Sequence, residues 1–130
     1  MSHFVDTNIA VYAILPGPKG ERALQCLNGA VISVQVLNEF ANVAMRKFNL
    51  SKSVLALKVS EIRFQVDSIV SVTEENHDLA RAIAFRYKLS FYDSALIAAA
   101  LLADCNTFYS EDMQQGLLIE DQLTIINPFA

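Results

Sequence analysis

The chain has 130 residues, and 10 Lys and Arg against 14 Asp and Glu leave a formal net charge of −4. With 53% hydrophobic and 18% charged residues and a mean hydropathy of +0.32, it is too apolar to be disordered. It is also too acidic for a sequence-independent nucleic-acid coat, which needs a basic surface. Any phosphate chemistry must therefore act through a local site.

In chain order, His3-Phe4-Val5 is a short apolar strand ending at Asp6-Thr7-Asn8. Pro16 to Gly20 is a loop, dense in the two strongest breakers. Glu21 to Leu27 can form a helix that Asn28-Gly29 stops, and Ala30-Val31-Ile32 is a second strand. Ser33 then reads as an N-cap for a helix over Val34–Phe48, where Leu37, Phe40, Ala41, Ala44 and Phe48 recur at helical spacing. After a break at Asn49 to Ser51, a helix over Val54–Val66 carries Leu55, Val59, Ile62 and Val66 on one stripe. Ser68 to Val72 is a third strand. The helix over Glu74 to Lys88 has acids in its first turns and Arg81, Arg86 and Lys88 toward its end, as its dipole prefers. Tyr92 to Ala103 is apolar all round after its first turn, the mark of a buried helix. Asn106 to Tyr109 and Leu123 to Asn127 are the last strands. Short apolar strands alternating with helices predict one α/β domain over 1–130, a three-layer fold with a short central parallel sheet and helices on both faces.

Cys26 and Cys105 form no disulfide framework and read as core thiols. Asp6 is reached too early for a secretory leader, and the longest apolar run, Ala95 to Ala103, falls short of the roughly 20 residues of a membrane span. A cytoplasmic location is expected. So high a hydrophobic content also suggests an apolar patch on the surface, which usually marks an interaction site.

Ligands of an open α/β sheet bind outside the carboxyl ends of its strands. Asp6 follows the first strand and Asp112 follows the strand ending at Tyr109. Ser90-Phe91-Tyr92-Asp93 resembles a capping box, so Asp93 opens a helix whose N-terminus faces the same edge. Glu39 lies about 9 Å along the helix that begins at that edge. Taken singly, Asp6 is a turn former, Glu39 a solvated helix residue, Asp93 a cap and Asp112 part of a polar loop. Taken together, carboxylates gathered without His or Cys partners repel one another unless a cation neutralises them. An all-oxygen site favours Mg²⁺ or Mn²⁺, and such ions stabilise the attacking and leaving oxygens of phosphoryl transfer. Glu111 reads as a solvated neighbour of Asp112, although loop geometry can exchange the two.

Val5-Asp6-Thr7-Asn8, Glu39 within Leu37-Asn38-Glu39-Phe40, the stretch from Phe91-Tyr92-Asp93-Ser94 to Ile97, and Tyr109-Ser110-Glu111-Asp112-Met113 resemble the four acidic motifs of the PIN domain. The likeness is strongest to the VapC-type toxins of bacterial toxin–antitoxin pairs and spans essentially the whole chain. It implies a Mg²⁺- or Mn²⁺-dependent endoribonuclease that hydrolyses RNA phosphodiester bonds. It also implies a homodimer and inhibition by a small antitoxin lying across the acidic cleft. Asp6, Glu39, Asp93 and Asp112 then take the acidic, metal-holding roles, with Asp6 and Asp93 as direct ligands. Thr7, Asn8, Ser94 and Ser110 become supporting donors. The helices Val34–Phe48 and Val54–Val66 are expected to project as a pair whose apolar residues serve dimer and antitoxin.

Other features carry less. Tyr92 reads as a packing residue, with substrate contact as the alternative. Arg46, Lys47 and Lys52 cluster at a turn and suit either RNA phosphates or solvent. His3 and His77 do not form the pair a histidine ribonuclease needs. A haloacid-dehalogenase-like phosphatase would want a second Asp where Asn8 stands, and a receiver module would want an Asp after the third strand, where Val70 to Thr73 offers none. A PIN-like partner-binding module without nuclease activity is the non-enzymatic alternative.

Overall fold

Three residues of β1 (His3–Val5) lead directly into α1 (Thr7–Ile14), followed by α2 (Gly20–Leu27), β2 (Val31–Ser33), α3 (Val34–Lys47) and α4 (Lys52–Gln65). Next come β3 (Ser68–Val70), α5 (Glu74–Tyr87), α6 (Phe91–Leu102), β4 (Thr107–Tyr109), β5 (Leu118–Ile119) and β6 (Leu123–Ile126). These elements come from a computed structural model, which describes residues 2–130. The strands form one sheet in the order β3-β2-β1-β4-β6-β5. Every neighbouring pair is parallel except β5 with β6. The expected parallel sheet is therefore a mixed one, with an antiparallel strand at one edge. Leu118–Ile119 is too short to give a period, and only its pairing with β6 defines it as a strand.

Helix α1 is a further element that the sequence pattern does not predict. Its start signal was present, because Asp6 is the N-cap and accepts a hydrogen bond from the Thr7 amide at 2.7 Å. The helix ends one residue before the C-cap Leu15, and Pro16 follows. Being short and apolar on most sides, α1 gives no amphipathic stripe to recognise. Elsewhere boundaries shift by one or two residues. Gly29 takes φ +76° after α2, and Asn49 takes φ 52° in the break after α3, conformations suited to Gly and Asn.

The first four helices pack on one another, while α5 packs on α6. With right-handed crossovers, the turn-back from β3 to β4 puts these groups on opposite faces of the sheet. One core runs through both faces. Phe4 of β1 and Phe108 of β4 stack at 5.4 Å between ring centroids, both fully buried. Leu96 to Leu101 of α6 are buried throughout, as the all-round apolar pattern predicts. In α4 the expected stripe faces the core, with Ile62 fully buried and Leu55, Val59 and Val66 packed against it. The opposite face leaves Leu57 and Phe64 exposed. Cys26 and Cys105 are buried free thiols. Among the described residues no helix is long and apolar enough to cross a membrane.

Candidate active site

From β1 the chain moves to β2 and β3 on one side and returns to β4 on the other, so the topology switches between β1 and β4. A crevice opens outside the carboxyl ends of the strands at such a point. Val5 and Tyr109 are in register there, and the Asp6 amide donates to the Tyr109 carbonyl at 2.9 Å. Asp6 and Ser110 thus leave adjacent strands side by side. The Ser110 hydroxyl donates to Asp6 Oδ2 at 2.9 Å while accepting from the Asp112 amide at 3.2 Å.

Each remaining acid is brought in by its own element. The first turn of α1 sends Thr7 Oγ1 to Glu39 Oε1 at 2.7 Å and Asn8 Nδ2 to Asp112 Oδ2 at 2.8 Å. Gln35, one turn before Glu39 on α3, donates to Glu39 Oε2 at 2.8 Å. Asp93 stands in the first turn of α6, where the Ser90 hydroxyl accepts from its amide at 3.2 Å. Ser94 spends its hydroxyl inside the same helix, on the Ser90 carbonyl at 2.8 Å. Asn8, Thr7 and Ser110 therefore each hold a carboxylate, and Ser94 holds helix backbone.

The carboxylates feel one another. Burial pushes the Asp6 carboxyl up to about 6, the charges of Asp93 and Asp112 add to the rise, and the bonds from Ser110 and Thr7 oppose it. Asp93 is raised as well, first by burial and then by the charges of Glu39 and Asp112. Glu111 behaves in the opposite way. Lys19 donates to it at 2.6 Å and the Tyr12 hydroxyl donates to its other oxygen, and these bonds hold its carboxyl below the usual range. Its partners lie in α1 and in the loop before α2, so Glu111 ties that loop to the segment after β4.

Among the described residues no three His, Cys, Asp or Glu side chains are drawn together tightly enough to enclose a metal ion by themselves. The donor set is nonetheless all oxygen, and two of its carboxyls, Asp6 and Asp93, are raised, first by burial and then by the charges of neighbouring acids. That combination fits a hydrated divalent cation, which keeps several waters and takes only one or two carboxylates directly.

Two features beside the acids differ from the sequence reading. Tyr92, expected to pack, is 67% exposed and borders a cavity of about 410 Å³ beside Glu39. Only its neighbour relations reveal this, because Tyr92 precedes the helical turns that face the core. Ser33 is the N-cap of α3, but its side chain makes no cap bond. Among the described residues, its Oγ is a buried oxygen without a hydrogen-bond partner. Of the basic cluster, Arg46 and Lys52 are exposed, and Lys47 borders a separate cleft with Asn8.

A profile of the PIN domain matches residues 3–116, and the chain belongs to that family. Among solved structures, it resembles a toxin–antitoxin complex from Klebsiella pneumoniae with a TM-score of 0.71 at 18% identity, over 98% of each chain. It resembles Mycobacterium tuberculosis VapC20, a toxin that cleaves the sarcin–ricin loop, with a TM-score of 0.68 at 20% identity, over 85% of this chain and 92% of that one. It resembles Rickettsia felis VapBC2 bound to a fragment of promoter DNA with a TM-score of 0.63 at 22% identity, over 86% of this chain and 89% of the other. No curated protein matches significantly. The fold is thus that of the VapC toxins.

Proposed function

We propose that the protein is a metal-dependent endoribonuclease and the toxin of a toxin–antitoxin pair. The observation that carries this reading is Asp6 at the switch point, raised to about 6 chiefly by burial, with the charges of Asp93 and Asp112 adding to the rise; Asp6, Glu39, Asp93 and Asp112 are the acids we assign to the site. A buried carboxyl that also feels the charges of neighbouring acids is poised to accept a cation. The family membership and the toxin folds it resembles favour RNA as substrate.

Asp6 and Asp93 would hold the ion directly, and Glu39 and Asp112 would complete its surroundings or accept a proton. A bound Mg²⁺ or Mn²⁺ supplies a lowered pKa for water and neutralises charge on the phosphoryl oxygens. Ser110, Thr7 and Asn8 fix the rotamers of Asp6, Glu39 and Asp112 through the bonds at 2.9, 2.7 and 2.8 Å. Holding carboxylates rigid in this way spares the reorganisation that would otherwise oppose the reaction.

The antitoxin is expected on the apolar side of α4. A cleft of about 530 Å³ there is bordered by Ile14, Leu24, Leu57 and Phe64. With Phe64 86% and Leu57 66% exposed, it suits the apolar face of a partner helix. The test is cleavage of mixed cellular RNA in Mg²⁺, in Mn²⁺ and in chelator. Wild type is expected to cut only with metal, and Asp6→Asn and Asp93→Asn to lose at least 100-fold in rate. Cleavage that persists in chelator, or in both variants, overturns the reading.

A further inference from the structure

The open hollow beside Glu39, called a cavity below, is unlike the acidic crevice it adjoins. Its lining is Gln35, Asn38, Glu39, Asn42 and Tyr92, with a volume of about 410 Å³. Gln35, Asn38 and Asn42 recur on one face of α3, three and four residues apart, so their amides line up in a row. Gln35 is committed to Glu39. Among the described residues, Asn38 and Asn42 make no side-chain hydrogen bond, and both are exposed. Tyr92 stands across from this row with most of its ring free.

Tyr92 also borders a second, more apolar cleft of about 170 Å³. Phe91 lies in that cleft, 5.8 Å from the Tyr92 ring and 5.4 Å from the His77 ring. Tyr92, one residue before Asp93, therefore borders both an amide-lined hollow and a mainly apolar cleft, as Gln35 does. Neither lining contains Lys or Arg. A phosphate would find no counter-charge there and would meet Glu39. An uncharged planar group with donors and acceptors on its edge fits both requirements.

Building on the nuclease reading, we propose that this cavity is a nucleobase subsite for single-stranded RNA, with Tyr92 as its stacking platform and the Asn38 and Asn42 amides as its reading edge. An unpaired base next to the scissile phosphate stacks on Tyr92, as splayed bases do on exposed aromatic rings. The free amides then present a donor and an acceptor side by side to its edge, the pairing by which Asn recognises adenine. The aromatic cleft beyond Tyr92 accommodates the adjoining base without reading it. Sequence preference at the cut is thus set by α3, the helix that also carries Glu39.

The test uses a random-sequence single-stranded 20-nucleotide RNA pool with Mg²⁺. Product ends are sequenced after partial digestion by wild type, Tyr92→Ala, Tyr92→Phe, Asn38→Ala and Asn42→Ala. Binding of the same pool is measured in an Asp6→Asn background, and melting temperatures confirm folding. Tyr92→Ala should weaken binding roughly 5- to 150-fold, the range for losing one base–aromatic stack. Tyr92→Phe should retain it. Asn38→Ala or Asn42→Ala should flatten the base preference at one position beside the cut, with a smaller loss of affinity. If wild type cleaves the pool but all variants keep its affinity and product ends, the subsite is overturned and the nuclease reading stands. If wild type leaves the pool intact and Asp6→Asn does not bind it, both fall together. If affinity for RNA is unchanged while only a protein inhibitor binds less well, the cavity belongs to that inhibitor and the subsite is again overturned.

Discussion

At the scale of single residues, Asp6 joins local structure to chemistry. It caps α1, yet its burial and its acidic neighbours raise its carboxyl from 3.8 to about 6. The folded state then keeps a proton that the unfolded chain has released, so metal-free stability is full below about pH 4 and falls as pH rises through about 6. A shift of this size corresponds to about 3 kcal/mol. Asp93, also raised, acts in the same direction. Asp6→Asn keeps a capping side chain and loses the charge. In chelator its melting temperature should match wild type near pH 4 and equal or exceed it at pH 7. A variant that melts well below wild type at pH 7 would make Asp6 chiefly a structural cap. Ser33 offers a second test. Its hydroxyl is buried, finds no partner among the described residues, and makes no cap bond. Removing an unsatisfied buried hydroxyl relieves its desolvation cost. Ser33→Ala should therefore leave the melting temperature unchanged or raise it. Loss of a true N-cap would instead cost about 1 kcal/mol.

Elements assign the site its separate parts. The first turn of α1 supplies both Thr7 and Asn8, which hold acids from α3 and from the segment after β4. Asn8→Ala should thus lower the cleavage rate about 10-fold through Asp112 with little change in melting temperature. An unchanged rate would show that Asp112 needs no fixing. Glu111, although adjacent to Asp112, is held by Tyr12 and Lys19. Exposed ion pairs contribute little, and this one is partly exposed. Glu111→Gln should keep cleavage within twofold of wild type, and a loss comparable to that of Asp112→Asn would place Glu111 in the chemistry. On α4 the exposed face is separate from the stripe that packs on the core. Phe64→Asp should leave fold and cleavage intact and abolish co-purification with an adjacently encoded small protein, as pull-down would measure. Retained capture would move the antitoxin surface elsewhere.

For the whole molecule, metal binding links the site to global stability. An ion that binds the folded site and hardly binds the unfolded chain stabilises by roughly 2.7 kcal/mol at about 100-fold above its dissociation constant. Thermal melts at pH 7 should therefore rise on adding Mn²⁺ to wild type and rise much less for Asp6→Asn. Equal shifts in both would remove Asp6 from the ligand set. Helices α3 and α4 and the segment after α3 also leave Met45, Phe48, Val54, Leu57 and Phe64 exposed. So much exposed apolar surface favours self-association. Sedimentation at high protein concentration should give the mass of a homodimer, and a monomer would refute it.

Much of this organisation was legible in one dimension. Strand-ending acids and helix-opening acids share a sheet edge whenever short strands alternate with helices, because each crossover returns the chain to the same end. Asp6, Asp93 and Asp112 could be placed at that edge from the order of strands and helices, α3 and α4 from apolar periods of several turns, α5 from its charge pattern and α6 from its all-round apolarity. Short or one-sided elements were not legible. The eight residues of α1 lack a polar face, and the two of β5 exist as a strand only through β6. Side-chain partnership was likewise beyond the sequence. Glu111 and Asp112 are adjacent acids of the same polar loop, and only the approach of Lys19 and Asn8 in space separates a structural carboxylate from one facing the site. Tyr92 is exposed for the same reason, since the face a helix's first turn presents depends on what packs beside it. Backbone periodicity is a local property of the chain, whereas the Ser110 bond to Asp6 and the acidic charges of Asp93 and Asp112 that act on it come from groups more than 80 residues away that only folding brings within reach.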